Sequence, residues 1–498
     1  MTLPSILYGL FLLSVVGIYW SLSSKTWRLW TVFVASLVFY ASLQIQYVPL
    51  LFTLTVLNFF LGVAINTPLD WRIPNEEWQF AQQVWNYRRA LLMWLGIFLN
   101  VLLLLSFKDL STLINFLGLT GESNLALSNS AWRLTDLIAP LGISFFCFEC
   151  IAYLVDVYRG SPATTRFIEF GAYKLFFPKL ISGPITRFHS FNSQFKGQKA
   201  PQLSQTVEGL WLIASGAVKK LLIADHLAVF VNLSFENLER AGSTDIWLAT
   251  FAFGLQLYLD FSGYVDIARG SAIFLGFNLP QNFNFPYFAT SIADFWRRWH
   301  MTLGAWLRNY LYFPLGGSRR GILRTCLNLV IVMLIAGIWH GDNWGFLIWG
   351  GLHGLALAIH RLMQAAANRW LWLEKGWTSP PGALAAWLIT QGMVFGSWLF
   401  FKLSNPKDFT LALEKIWGHA ADIQFIEKVY IESLGLSRPQ LMLLFGSLMI
   451  VMEIIYGFNR GFKLQLSWPV KLLLVPVCLF LAWLLAPSET LPYIYFEF

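Results

Sequence analysis

The chain has 498 residues, 56% of them hydrophobic and 12% charged, with a formal net charge of +8. A soluble domain carries about 25% charged residues, so a water-soluble globular protein is excluded and a polytopic membrane protein is expected. The positive balance calls for no nucleic acid, because lysine and arginine in short cytoplasmic loops produce it and no basic tract is long enough to form a DNA or RNA surface.

A helix needs roughly 20 apolar residues to cross about 30 Å of hydrocarbon. Apolar runs suited to this lie near residues 4–20, 29–44, 47–66, 90–107, 135–157, 208–232, 246–277, 327–339, 343–362, 384–402, 440–457 and 470–486. The run 246–277 is read as two shorter pieces divided near Gly263, so about eleven to thirteen spans are expected. The first run lacks a basic flank and a small-residue cleavage site, which predicts a retained span rather than a signal peptide. The 24 Trp, 17 Tyr and 44 Phe suit many membrane–water interfaces, where amphipathic rings settle at headgroup level.

Lys25 and Arg28, then Arg72, Arg88 and Arg89, then Arg159 and Arg166 occupy alternate loops. The positive-inside rule makes that face cytoplasmic. The N-terminus and the polar stretch 108–133 then fall outside. Residues 169–195 hold Lys174, Pro178, Lys179, Gly183, Pro184 and Arg187 in an apolar background, and residues 278–320 mix Asn, Pro, Arg and aromatics. Irregular backbone at membrane depth is tolerated only where protein buries it or a watery cavity lies beside it. Both segments are therefore expected to be re-entrant or interfacial around a central opening, while 403–439 is a polar connection. No internal repeat is evident, and a single integral-membrane domain over 1–498 is the simplest partition.

Cys147 and Cys150 have CxxC spacing but no second half-site, and are read as small buried hydrophobes. There is no HExxH and no Cys/His cluster at zinc spacing, so no metal is expected. No GxSxG elbow or Walker-type loop is present either. The informative residues are two histidines: His300, in Asp294-Phe-Trp-Arg-Arg-Trp-His300, and His340, in Ile338-Trp-His340-Gly341. An imidazole exchanges a proton near neutral pH, and ionisable groups at membrane depth are costly and usually belong to a site. A continuous helix through 294–306 would group Phe295, Trp299 and Trp306, with Trp296, His300 and Leu303 on the adjacent stripe. That pattern fits a structural interfacial helix, and equally a helix that turns His300 towards an opening while Arg297 and Arg308 attract an anionic donor. His340 ends an apolar run between Gly337 and Gly341, which permit close approach of another backbone or of substrate. Asp294, Trp296, Arg297, Trp299, Arg308 and Trp339 are the further candidates to line the opening. His353 and His360 are read as structural, and His189, His226 and His419 as loop or interface residues.

These segments are similar to those of the membrane-bound O-acyltransferase family, in its bacterial branch. The resemblance rests on Pro140–Phe146 leading to Tyr153–Gly160, Phe177–Ile185, Tyr258–Tyr264, Asn282–Tyr287, Asp294–His300 with Trp306–Tyr310, Gly337–Gly341 and Pro492–Phe498. It spans roughly 140–360 with an echo at the C-terminus, and ordered motifs are more specific than any one alone. Lys402 stands where the branch usually has arginine, and Asn309 where aspartate is common. The resemblance implies an all-α integral membrane fold, with re-entrant helices and a ring of tilted helices around a funnel. It also makes His340 the catalytic histidine and His300 a second functional position. On this reading an acyl group, acetyl first, passes from a cytoplasmic thioester (acetyl-CoA or an acyl carrier protein) to an extracytoplasmic polysaccharide or a partner protein. No tightly bound cofactor is expected. The expected partners are membrane lipid and periplasmic or membrane-anchored acyltransferases, and the expected location is the inner membrane. His340 would serve as general base, and His300 would position the thioester or stabilise the oxyanion. The rivals are a multi-pass polysaccharide transporter or flippase, and a membrane platform without chemistry of its own.

Overall fold

The computed structural model describes residues 3, 5–69, 75–108, 139–195, 197–341, 343–458, 466–487 and 491–494. The polar stretch assigned to the outer face lies beyond these residues except for its first position, as do Arg72 and Asp342. Among the described residues all regular structure is helical, and each apolar run read from the sequence contains helix. Among the described residues six helical stretches are long and apolar enough to cross a bilayer: Lys25–Asn66, Glu77–Phe107, Ile322–His340, Trp344–Ala367, Pro380–Lys402 and Arg438–Gly457. Ile6–Ser21 and Trp468–Leu484 are shorter apolar helices. The chain divides into two compact units, residues 1–202 with 271–280, and residues 203–270 with 281–498.

The first unit contains α1 (Ile6–Ser21), α2 (Lys25–Gln44), α3 (Val48–Asn66), α4 (Asn75–Lys108), α5 (Ile143–Tyr158), α6 (Phe167–Lys174) and α7 (Phe188–Asn192). Several polar side chains inside it find partners, as burial away from water favours. Asn100 on α4 donates to Asn58 on α3 at 2.9 Å. Arg89 donates to the last carbonyls of two helices, Ile65 O at 2.9 Å and Tyr158 O at 2.8 Å. The C-terminal ends of α3 and α5 therefore lie at one level, as loops on a common face require. Cys147 and Cys150 are buried free thiols in the apolar core.

The irregular stretch after α6 is buried rather than exposed. Lys174 and Lys179 turn inward onto Glu149 of α5, with Nζ to carboxylate distances of 3.2 Å and 2.6 Å. Thr186 adds its N–H and its hydroxyl, each 2.9 Å from the same carboxylate. These lysines, expected near an opening, are pins that hold non-helical backbone inside the unit.

The second unit starts with α8 (Leu203–Ala217), which passes through a π-helical stretch, Val218–Ala224, into α9 (Asp225–Glu236). Lys220 in that stretch pairs with Asp225 at 2.8 Å and with Asp260 at 2.7 Å. Asp260 lies on α10 (Ser243–Phe274). That helix runs unbroken through Gly263, against the expected division there. A Cβ at Gly263 would come within 2.9 Å of the Gly216 carbonyl oxygen, so the residue serves helix packing and breaks nothing. The helices Ile143–Tyr158, Leu203–Ala217 with its continuation to Glu236, and Ser243–Phe274 carry residues of buried ion pairs, Glu149, Lys220, Asp225 and Asp260.

Next come α11 (Ile292–Arg298), α12 (Met301–Leu307), α13 (Ile322–His340), α14 (Trp344–Ala367), α15 (Leu371–Thr378), α16 (Pro380–Lys402), α17 (Pro406–Lys415), α18 (Arg438–Gly457) and α19 (Trp468–Leu484). The helices α13 and α14 form a tight hairpin. A Cβ at Gly337 would sit 2.4 Å from the Phe346 carbonyl, and one at Gly350 would sit 2.5 Å from the Met333 carbonyl. Small residues let membrane helices meet backbone to backbone, and this hairpin fixes the position of His340. The residue polarity inside 403–439 does not prevent helix, since α17 and a π-helical stretch, Ile426–Leu434, lie within it.

Overpacking of a closely fitted contact costs about 1–3 kcal/mol. Gly350→Ala should therefore lower the thermal midpoint of the detergent-solubilised protein by several degrees. Gly351→Ala, whose Cβ would meet nothing closer than Leu334 at 3.7 Å, should leave it in place. Equal midpoints for the two variants would contradict this packing.

Candidate active site

Ser291 caps α11, its hydroxyl accepting from the Asp294 N–H at 3.1 Å. Asp294 then accepts from Arg298 Nε at 2.7 Å and from Arg297 at 3.4 Å. The carboxylate of the first turn is thereby paired within the helix by the arginines of its last turn. The expected continuous helix stops at Arg298: His300 adopts φ +41° and ψ +55° in the left-handed region. A non-glycine residue there costs about 1–2 kcal/mol, so something must hold it. Asn282 does so from the preceding extended segment. Its backbone carbonyl accepts from Met301 N at 2.9 Å. Its side-chain oxygen accepts from Thr302 N–H and Thr302 Oγ, each at 3.0 Å, and lies 3.2 Å from His300 Nδ1. A second backbone bond, Asn284 N to Arg298 O at 2.9 Å, fixes the same crossing.

The break moves His300 off the stripe a single helix would give it. Its ring is wholly buried and packs edge-on against Phe261 of α10, centroids 4.9 Å apart. Burial pushes its pKa down to about 3. The imidazole is therefore neutral at physiological pH.

His340 closes α13 and is 4% exposed. Its ring stands at 90° to Trp349 with centroids 5.2 Å apart, and lies 4.9 Å from Phe401 and 4.6 Å from Trp339. Trp349 stacks on Trp398 at 6.1 Å. Trp398 is 5.1 Å from Trp299, and Trp299 is 5.2 Å from Phe283, which in turn is 6.5 Å from His300. The two histidines thus belong to one aromatic wall and are joined through Trp349, Trp398, Trp299 and Phe283. Within that wall the indole N–H groups of Trp349 and Trp398 are buried and find no acceptor among the described residues.

His353 is different. Trp296 Nε1–H donates to its Nδ1 at 3.2 Å, so the proton sits on Nε2, which donates to Ser397 Oγ at 3.0 Å. Ser397 passes its own proton to Val394 O at 2.7 Å. Both ring nitrogens are used in a chain that ties α11 to α14 and α16. Of the candidate lining residues, Trp296, Trp299 and Trp339 join the wall. Asp294 lies in its own ion pair, and Arg297 and Arg308 are exposed. Lys402 reaches Asn232 at 3.0 Å, and Asn309 bonds back to Ala305 O at 2.6 Å. Sequence reasoning missed Asn282, Trp349, Trp398, Phe401 and Ser397. Only Asn282 gave a signal, as a polar residue in a segment without helical periodicity.

The membrane-bound O-acyltransferase family model matches residues 161–404, which carry all these elements from α11 to α16. A “probable alginate O-acetylase” of Pseudomonas putida is 36% identical over 397 residues, covering 80% of this chain and 76% of its own. The peptidoglycan O-acetyltransferase of Helicobacter pylori is 35% identical over 418 residues, covering 78% and 74%. The teichoic acid D-alanyltransferase of Bacillus subtilis is 25% identical over 279 residues, covering 53% and 69%. The fold and these likenesses define a multi-pass membrane acyltransferase. The chain belongs to the membrane-bound O-acyltransferase family.

A hydrogen bond between membrane helices contributes about 0.6–1.7 kcal/mol. Ser397→Ala, which removes the acceptor of His353, should lower the thermal midpoint of the solubilised protein by a few degrees. Ser433→Ala, at an exposed hydroxyl on Lys428 O, should not. A midpoint unmoved by Ser397→Ala would show that the chain of bonds from α11 to α16 adds nothing.

Proposed function

We propose that this O-acyltransferase moves an acetyl group from a cytoplasmic thioester, acetyl-CoA or an acyl carrier protein, to a hydroxyl of an extracytoplasmic polysaccharide or a partner protein. The observation that carries the reading is the placement of His340, a buried imidazole at the end of an apolar helix, in one aromatic wall with two buried indole N–H donors that find no acceptor among the described residues. The names of the more similar relatives favour acetyl over D-alanyl. An alginate-like glycan is the first acceptor to test.

In the proposed reaction His340 takes the proton of the acceptor hydroxyl as that oxygen attacks the thioester carbonyl carbon. The tetrahedral intermediate collapses by breaking the C–S bond, and the imidazolium returns the proton to the departing thiolate. General-base help of this kind contributes about 10²–10⁴-fold. The carbonyl oxygen becomes an oxyanion on the way, and a preplaced donor is worth most where charge appears in a dry site. The indoles of Trp349 and Trp398 supply such donors. Arg297 and Arg308, both exposed, would draw in the anionic donor. A charged thioester headgroup does not cross about 30 Å of hydrocarbon, so a passage that lets the two reactants meet at His340 spares either from being flipped. Periplasmic or membrane-anchored acyltransferases would receive the product, with the chain in the inner membrane.

Two substitutions test this in permeabilised membranes of the native strain, supplied with radiolabelled acetyl-CoA. His340→Ala should lower labelling of the exopolysaccharide by at least about 10²-fold while the protein remains at its normal level in the membrane. Undiminished labelling would end the general-base role, and polysaccharide flux without any label transfer would favour the transporter reading. Trp349→Phe keeps the ring and removes the donor. It should lower kcat by about 10²–10³-fold with KM little changed, and an unaltered kcat would remove Trp349 from the oxyanion's surroundings.

A further inference from the structure

The side-chain amide of Asn282 can be oriented without ambiguity. The Thr302 backbone N–H is a fixed donor, so the atom 3.0 Å from it is the amide oxygen. The reverse orientation would set two donors against each other. The Thr302 hydroxyl donates to the same oxygen. His300 Nδ1 lies 3.2 Å from it, and two acceptors at that separation would repel, so Nδ1 carries hydrogen. The hydrogen bond made by one imidazole nitrogen decides what the other offers.

We infer that Asn282 is a positioning residue that holds His300 as the neutral tautomer protonated at Nδ1, so that Nε2 presents a lone pair and not an N–H. The inference rests on the reading of His300 as a functional residue of the acyltransferase. It also chooses between the two roles that the sequence left open for this histidine. A neutral ring whose one N–H is given to Asn282 does not donate to an oxyanion. It accepts a hydrogen bond from a reactant's N–H or O–H, and so positions a reactant. The oxyanion donors are then sought among the indoles near His340.

The surroundings fit a ring kept neutral. Phe261 of α10 and Phe283 of the preceding segment face it. The charged groups on the packed elements are already engaged: on α10, Asp245 with Arg438, Asp260 with Lys220, and Asp266 with Lys219 and Arg269. On α11, Asp294 holds Arg298 and Arg297. Neither α12 nor residues 275–291 carry a charged side chain. Asn282 is itself fully buried and clamps backbone and side chain of the same turn, so the ring has one orientation.

The test uses Asn282→Asp and Asn282→Ala in the full chain, in permeabilised native membranes with radiolabelled acetyl-CoA. The carboxylate of Asn282→Asp keeps every acceptor contact, but it adds a negative charge beside Nδ1–H and so favours the imidazolium. Opposite charge at such range moves a pKa by about 1–3 units. The readout for this is solid-state NMR of the full chain in lipid with 15N-labelled histidine: the resonances that His300→Ala removes should show a protonated Nδ1 and an unprotonated Nε2, and in Asn282→Asp that ring should take its second proton at least about one pH unit higher. Asn282→Ala should lower transfer about 10–100-fold at every pH, the usual scale for losing a residue that orients another. A His300 ring protonated at Nε2, or one whose titration Asn282→Asp leaves in place, would overturn the assignment, even where Asn282→Ala fails to accumulate. His300→Ala separates the two ideas. Full transfer by that variant removes the functional reading of His300, whereas a dead His300→Ala with an unmoved His300 titration in Asn282→Asp removes only the role of Asn282.

Discussion

A charged group taken out of water has to find a partner inside the protein, and the second unit and the first alike meet that requirement. An unpaired charge in a low-dielectric interior is expensive enough that it would neutralise or unfold its surroundings. Glu149 is therefore met by two ammonium groups and by Thr186, and Lys220 by two carboxylates. Arg89 serves two helix C-termini at once. These contacts let non-helical or ion-bearing segments lie within an otherwise apolar chain.

Set against this pairing, the indole N–H groups of Trp349 and Trp398 stand out, because a buried tryptophan ordinarily finds an acceptor. A donor left without one costs about 1–3 kcal/mol. Two of them stacked in the wall that includes His340 are best understood as donors kept for a reactant. His353, a few ångströms away in the same wall, shows the contrast, since Trp296 and Ser397 occupy both of its nitrogens. Chemistry and structure are divided between neighbouring imidazoles by what each ring nitrogen already holds.

Much of this was legible in the chain and some was not, for physical reasons. Apolar runs gave the helices because hydrophobic length is a local property. The end of α13 at His340 and its glycine-permitted approach to α14 were legible for the same reason. The turn at His300 was not, because its left-handed backbone is imposed by Asn282, eighteen residues earlier, and a local helical pattern cannot register a distant clamp. Gly263 was read as a break when it is a packing contact, since the partner carbonyl at Gly216 belongs to another helix. Lys174 and Lys179 pointed to an opening only while Glu149 was unseen. Trp349 and Trp398 were hidden among many aromatics, because their lack of an acceptor among the described residues, within the wall that includes His340, appears only in three dimensions.

The account turns on reactants reaching His340 within the aromatic wall. A cryo-EM map of the full chain in lipid nanodiscs, with a non-hydrolysable ketone analogue of acetyl-CoA, tests this most directly. The account predicts the ketone oxygen at hydrogen-bond distance, about 2.7–3.2 Å, from the indole nitrogen of Trp349 or Trp398, with the carbonyl carbon close to the His340 ring. A map in which lipid chains seal that ring from the bound analogue would contradict it.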